Sequence, residues 1–168
     1  MILFIVIAIL LLIVLFLLVR QPKAKIGGNR ELFTLLIVRE NLLKEYATFI
    51  LIDNGGCTSY IRDRLFNVCE EISHFFKEKD DVKRLLQENI EMLETYTFSK
   101  RDGQKNIPKS LEANDKKLGA IFKVDYNLST LEMEMINSIS NASCVTKLAI
   151  FESSIYPKLY EISEKLNL

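Results

Sequence analysis

Residues 61–76 read I-R-D-R-L-F-N-V-C-E-E-I-S-H-F-F, and their apolar side chains recur every three or four positions. This spacing matches the 3.6-residue turn of an α-helix, so it places those side chains on one face. The face consists of Ile61, Leu65, Val68, Cys69, Ile72, Phe75 and Phe76. Thr58 or Ser59 can cap the helix, because a hydroxyl oxygen accepts a hydrogen bond from a first-turn amide. The stretch therefore predicts an amphipathic helix with one buried face.

The same periodicity recurs on both sides of this stretch. Upstream, a helix is predicted from Asn29 to the turn at residues 53–56, and it is apolar on more than one face. A helix of that kind usually lies at the centre of its bundle. The alternative is that its second apolar face meets a partner or the membrane surface. Downstream, further helices are predicted to begin at Asp80, Ser110 and Ser129.

The last part of the chain carries three local signals. Ser129 and Glu132 match a capping box, which predicts a helix start. The sequon at Asn141 is a possible break in the helical pattern, and Pro157 is expected to kink or restart it. Residues 99–109 predict a polar loop, and no convincing strand alternation is present. We therefore predict an all-α fold with a compact bundle of four to six helices over residues 30–168.

Residues 2–19 are all apolar: I-L-F-I-V-I-A-I-L-L-L-I-V-L-F-L-L-V. With Met1, this run as a helix would be about 28 Å long, close to the roughly 30 Å hydrocarbon core of a bilayer. A cleaved signal peptide would have a basic start, a shorter apolar run and a small-residue cleavage site. We therefore predict an N-terminal single transmembrane helix over residues 1–20 that is retained as an anchor. Cleavage of the run is the alternative.

Basic residues follow the apolar run and none precedes it. Arg20, Lys23, Lys25 and Arg30 all come before the first acidic residue. The positive-inside rule then predicts that the N-terminus is outside and that the C-terminal domain is cytosolic. Residues 21–29 are predicted to be a basic juxtamembrane linker. Its cations would meet the headgroups of the lipid bilayer, and a role as the topological signal alone is favoured over specific lipid recognition.

Cysteines and glycosylation sequons give opposite indications about the compartment. Cys57, Cys69 and Cys144 form no C-x-x-C pair, so free thiols and a cytosolic domain are the simplest interpretation. The sequons at Asn127 and Asn141 would instead indicate a luminal domain if the host uses them.

Composition limits the classes of function. The chain has 168 residues, with 22 Lys+Arg, 22 Asp+Glu and one His. Balanced charge argues against a strongly basic nucleic-acid binder, and an apolar content of 49% argues against a disordered chain. We predict no cofactor and no nucleic-acid partner.

Two weak candidates for chemistry involve Cys57, Glu71 and His74. Glu71 and His74 have the Glu-x-x-His spacing of di-iron bundles, but such a site needs a second motif and this chain has one histidine. Cys57 precedes a helix, whose N-terminus can activate a thiol, but a catalytic thiol also needs a base beside it. Ordinary surface roles are favoured, and no enzyme is predicted.

These patterns favour a membrane-tethered interaction or assembly protein that holds a small bundle domain at a membrane. Tethering raises the local concentration of the domain for a protein partner or for a second copy of the chain. This hypothesis predicts an exposed apolar or charged helix face. A membrane-anchored sensor or ligand-binding bundle is the alternative, and it predicts a cavity that can take a ligand. An enzyme is the least favoured of the three.

Overall fold

The computed structural model describes residues 30–53, 55–104, 108–140 and 145–165, with the backbone alone for residues 145–152. Within these residues the chain forms six α-helices and no β-strand. They are α1 (Arg30–Leu51), α2 (Gly55–Ser73), α3 (Lys79–Arg101), α4 (Ser110–Phe122), α5 (Leu128–Ser140) and α6 (Val145–Lys165). The prediction of a compact all-α bundle is confirmed.

Helix α1 lies at the centre of the bundle, as its two apolar faces predict. It packs against α2, α3, α5 and α6. Helices α2 and α3 run antiparallel, since an early residue of α3, Lys83, pairs with a late residue of α2, Glu70, at 2.8 Å. Helix α4 runs back along α3, since Ser110 contacts Met92 Sδ at 3.1 Å and Asn114, further along α4, donates to the earlier Leu85 carbonyl oxygen at 2.8 Å.

The predicted apolar face of α2 lies against the core. Ile61, Leu65, Cys69, Ile72 and Phe76 are buried, and the other two members of the face, Val68 and Phe75, are partly buried. Burying one such side chain contributes about 1.5–3 kcal/mol, so the stripe is a major source of stability.

An aromatic cluster closes one end of the bundle. The Phe76 and Phe122 rings stack with centroids 4.5 Å apart, and Tyr126 meets Phe122 edge-on at 5.4 Å. These contacts join the end of α2 to the end of α4 and to the α4–α5 turn. The turn, and with it Tyr126, is therefore held in place by the core.

Several predicted boundaries differ from the observed ones. Helix α3 continues to Arg101, three residues into the predicted polar loop. One described helix, α5, ends at Ser140 and the next, α6, begins at Val145, so the predicted break at Asn141 lies outside the described residues. Helix α6 continues through Pro157, so a restart there is wrong. Pro157 has no backbone N–H to donate within the helix, and it lies on the exposed side of α6, where the cost of that missing bond is smallest.

The predicted anchor, residues 1–20, and the predicted linker, residues 21–29, lie outside the described residues. Arg20, Lys23 and Lys25 lie outside them as well, whereas Arg30 is the exposed first residue of α1. Among the helices of the described ranges, none combines the length and apolar character needed to cross a bilayer.

Gly119 allows the α4–α5 turn to pass close to α4, and we expect Gly119→Ala to destabilise the bundle. A Cβ there would lie 2.9 Å from the Val124 carbonyl oxygen and 3.3 Å from the Tyr126 Cβ. Alanine usually stabilises a helix interior relative to glycine by about 0.5–1 kcal/mol. Here we expect a loss of about 1–3 kcal/mol, because the turn must move. Urea unfolding followed by circular dichroism measures this change.

Gly55→Ala is the matched control, because nothing lies within 4 Å of a Cβ built at Gly55. We expect this variant to be neutral or slightly stabilised. Equal changes in the two variants would contradict the role of the close turn at Gly119.

Candidate functional site

The residues singled out from the sequence are not brought together. Glu71 and His74 are exposed near the end of α2, and Cys57 is partly buried near its beginning. Cys57 and His74 are therefore at opposite ends of the same helix. Among the residues that the structure describes, no group of three or more His, Cys, Asp or Glu side chains is placed to hold a metal ion.

Four polar side chains meet in the middle of the core instead. Arg39 on α1 is fully buried, and its Nη1 lies 2.5 Å from Glu40 Oε1 and 2.6 Å from Glu132 Oε1 on α5. Its Nη2 donates a hydrogen bond to Asn89 Oδ1 on α3 at 2.6 Å. Charge-assisted bonds of this kind are stronger than neutral ones, so they connect the three helices firmly.

The hydrogen bonds continue from Asn89 to α4. Asn89 Nδ2 donates to Ser129 Oγ at 2.7 Å, and Ser129 Oγ donates to Asp115 Oδ1 at 2.5 Å. The Ser129 backbone N–H also donates to Asp115 Oδ2 at 3.2 Å. We call the whole set the polar core cluster: Arg39, Glu40, Asn89, Asp115, Ser129 and Glu132.

The predicted capping box at Ser129 and Glu132 is wrong in its contacts. Helix α5 begins at Leu128, within one residue of the prediction, but Ser129 bonds Asp115 and Glu132 bonds Arg39. The Asp115 carboxylate accepts a free N–H of the first turn in place of a local cap, where the helix dipole also favours negative charge. Glu132 accepts a hydrogen bond from the buried Arg39 guanidinium rather than from the Ser129 backbone N–H, because the charge-assisted bond is stronger.

The polar core cluster contains three carboxyl groups and one guanidinium. Burial acts to lower the pKa of Arg39, but the charges of Glu132 and Glu40 outweigh it and hold that pKa well above its ordinary value. Burial raises the pKa of Glu40 to about 8, with repulsion from Glu132 in the same direction and attraction by Arg39 opposing it. Arg39 therefore stays charged, while Glu40 keeps a proton at neutral pH.

Asp115 is the acid of the cluster that reaches an open cleft. Burial raises the pKa of Asp115 to about 6, although the hydroxyl hydrogen bond from Ser129 acts against the rise. The cleft has a volume of about 400 Å³ and lies between α4, the α4–α5 turn and the start of α5. Asp115, Tyr126 and Ser129 are buried members of its wall. Ligand sites in proteins are typically of about 300–1,000 Å³, so this cleft is of sufficient size.

The rest of the cleft combines an apolar wall with a charged rim. Leu111 and Met133 contribute apolar surface, and the rim carries two lysines and two acids besides Asp115. Asn127, the first residue of a predicted sequon, is exposed on this rim, whereas the hydroxyl residue of the same sequon, Ser129, is buried.

The polar core cluster was not predicted from the sequence, although a signal is present. Arg39 lies between Leu36 and Leu43 on the buried stripe of α1, at the three- or four-residue spacing of a core position. Asn89 and Glu132 occupy comparable positions within the buried stripes of their own helices. A polar residue in the core phase of an amphipathic helix indicates a buried partner on another helix.

The fold and the site together define a class: a helical bundle whose buried ionic cluster borders an open cleft. No protein-family model, no curated protein and no solved structure matches this chain.

Proposed function

We propose that this protein is a membrane-tethered bundle that binds a small ligand in the cleft beside Asp115. In this proposal residues 1–20 anchor the chain in a bilayer with the N-terminus outside. Residues 21–29 meet the headgroups, and the bundle faces the cytosol. The observation that carries the ligand-binding role is the cleft of about 400 Å³ with the buried Asp115 carboxylate in its wall.

The wall of the cleft has the composition of a binding site. It combines apolar side chains with a few polar groups, which is how small-molecule sites obtain both affinity and orientation. Asp115 receives two hydrogen bonds from Ser129, whose hydroxyl is in turn bonded by Asn89. A carboxylate oriented before the ligand arrives loses little conformational freedom on binding, and this supports a site of defined geometry.

The tether is tested by deleting residues 2–19. We expect the bundle to move from the membrane fraction to the soluble fraction and to lose only the helical signal of the deleted segment, because the described core is formed by residues after Arg30. Membrane fractionation and far-ultraviolet circular dichroism measure the two properties. Replacing residues 2–19 by an unrelated apolar segment of equal length should restore membrane association. A deletion variant that still sediments with membranes would contradict the anchor.

The cleft is tested by filling it. Thr130 is an exposed member of the cleft on α5, and Thr130→Trp is expected to abolish binding of small fragments that shift the methyl resonances of Met133. The measurement is a fragment titration followed by methyl nuclear magnetic resonance on the full-length chain in detergent micelles. Thr95→Trp, at an exposed threonine of α3 outside the cleft, is the matched control. Equal binding by both variants would place the ligand elsewhere.

The interaction or assembly role favoured by the sequence is the second candidate. Ile52 and Tyr60 support it, because they are 63% and 64% exposed and lie on either side of the α1–α2 turn. Exposed apolar groups at one end of a bundle are suited to a protein partner or to a second copy of the chain. A photo-cross-linker at position 60 should then capture a partner in native membranes, whereas one at exposed Arg84 on α3 should not.

A further inference from the structure

Asp115 is a buried acid without a cation of its own. Arg39, the nearest cation of the core, is shared between Glu40 and Glu132. Within the described ranges of the chain, no lysine or arginine lies within ion-pair distance of Asp115, whose hydrogen bonds come from Ser129. A buried negative charge without a counter-charge is costly, so this carboxylate is a strong acceptor for any cation that reaches it.

The other charged groups around the cleft largely cancel. Glu112 and Lys116 pair with each other at 3.0 Å. Lys109 and Asp125 are exposed, so their opposite charges are weakened by solvent. The titratable and charged groups that face Asp115 from the surrounding elements are Arg39, Lys109, Glu112, Lys116, Asp125, Tyr126 and Glu132. The field at the base of the cleft is therefore negative whenever Asp115 is ionised.

We propose that the cleft selects small amphipathic amines, with the Asp115 carboxylate accepting a hydrogen bond from the ammonium group. This inference rests on the proposed ligand-binding function. Each carboxylate oxygen of Asp115 accepts one hydrogen bond from Ser129, and an ionised carboxylate has further lone pairs available. Leu111, Met133 and Pro108 provide apolar surface for the body of the ligand. An anion of the same shape is repelled, since the uncompensated charge has the same sign.

A proton and the ammonium group compete for the same carboxylate. Because the pKa of Asp115 is about 6, the group is roughly one-tenth ionised at pH 5 and nine-tenths ionised at pH 7. Apparent affinity scales with the fraction of the protein in the binding-competent form. We therefore expect amine affinity to rise about tenfold from pH 5 to pH 7 and to change little above that.

The test uses the full-length chain in detergent micelles and three probes of matched shape. They are 2-phenylethylamine, the neutral 2-phenylethanol and the anionic phenylacetate. Binding is followed at the methyl groups of Leu111 and Met133, with buried Met135, which does not line the cleft, as an internal reference. At pH 7 we expect the amine to bind at least about tenfold more tightly than the alcohol, as for one charge-assisted bond.

Asp115→Asn is expected to remove both the preference for the amine and the rise in affinity with pH. It keeps an oxygen that can accept the Ser129 hydroxyl. Asp125→Asn, at the exposed rim acid, should bind the amine within about twofold of the unchanged chain, as expected for a solvent-screened charge. The pH series on the unchanged chain needs no variant, so it tests the inference even if Asp115→Asn does not fold.

Two results would overturn the inference: equal affinities for amine and alcohol, or amine affinity that is flat between pH 5 and pH 7. Unaltered amine binding by Asp115→Asn would do the same. With any of these three results, binding of the probes at Leu111 and Met133 would still support the proposed ligand-binding function. If none of the three probes shifts these resonances, the proposed function fails together with the inference.

Discussion

Replacing Arg39 by methionine is expected to destabilise the bundle by about 3–5 kcal/mol at pH 7, the usual cost of breaking a buried ion pair. The guanidinium is fully buried and contacts Glu40 and Glu132. Methionine fills similar space but leaves Glu132 without a counter-charge and Glu40 and Asn89 without the donor to their side-chain oxygens. Urea unfolding of the full-length chain in micelles, followed by circular dichroism, measures the loss.

Arg84→Met provides the matched control for this prediction. Arg84 also forms two ion pairs, with Asp81 at 3.0 Å and Glu88 at 2.8 Å, but it lies on the surface of α3. Exposed pairs contribute up to about 1 kcal/mol because water and salt screen them, so this variant should lose little. If the two variants lose equal stability, the buried charges are not what connects α1 to α5.

Acid should partly rescue the Arg39→Met variant. At pH 5 the Asp115 carboxyl group takes up a proton, because burial has raised its pKa to about 6, whereas Glu40 is already protonated at pH 7. The uncompensated charge of Asp115 then disappears, and the difference in stability from the unchanged chain should narrow. Substituting Glu40 and Glu132 by leucine in the same variant should also recover stability, since an apolar core replaces the ion pairs.

The unchanged bundle is expected to lose stability as the pH rises from 5.5 to 8.5. The pKa of Glu40 is about 8 in the folded chain, against an ordinary value of 4.5, so the folded state binds a proton that the unfolded state has released. The stability from this proton is fully present below about pH 4.5 and is lost as the pH rises through about 8. The pKa of Asp115 is raised from its ordinary value of 3.8 to about 6, so this group also lowers the stability as the pH rises between those two values. We expect the two groups together to lower the free energy of unfolding by an amount on the order of a few kcal/mol.

Glu40→Gln isolates the contribution of that proton. Glutamine resembles the protonated acid and keeps the oxygen that accepts from Arg39, so the stability of this variant should depend much less on pH between 5.5 and 8.5. Glu70→Gln is the control, because Glu70 is exposed and its pKa is lowered by the hydrogen bond and charge of Lys83. Unfolding curves at a series of pH values provide the comparison. Parallel curves for the unchanged chain and Glu40→Gln would contradict a protonated Glu40.

The polar core cluster illustrates what a local pattern cannot predict. Ser129 and Glu132 satisfy the spacing of a capping box, and the helix does begin there. Their side chains bond other partners instead, because the fold brings residues from distant parts of the chain next to them. Glu132 is 93 residues from Arg39, and Ser129 is 14 residues from Asp115. A local cap competes with these tertiary bonds and is weaker than a charge-assisted bond in the core.

The cleft is a second feature that sequence patterns left undetermined. Its wall combines the end of one helix, a turn and the start of another. Gly119 and the aromatic cluster around Phe122 determine how close the turn comes to α4. A cavity is the space left between elements, so it depends on their relative positions and not on the periodicity of any one of them.

Local periodicity was sufficient to predict the all-α class, the approximate helix boundaries and the central place of α1, because apolar spacing determines which face of a helix must be buried. The sequence also carried the apolar run at residues 2–19, on which the predicted anchor depends. Tertiary packing alone decided that Arg39 meets Glu132, that Glu40 keeps a proton and that Asp115 reaches a cleft. These properties depend on distance and desolvation between helices, which no pattern along one helix contains.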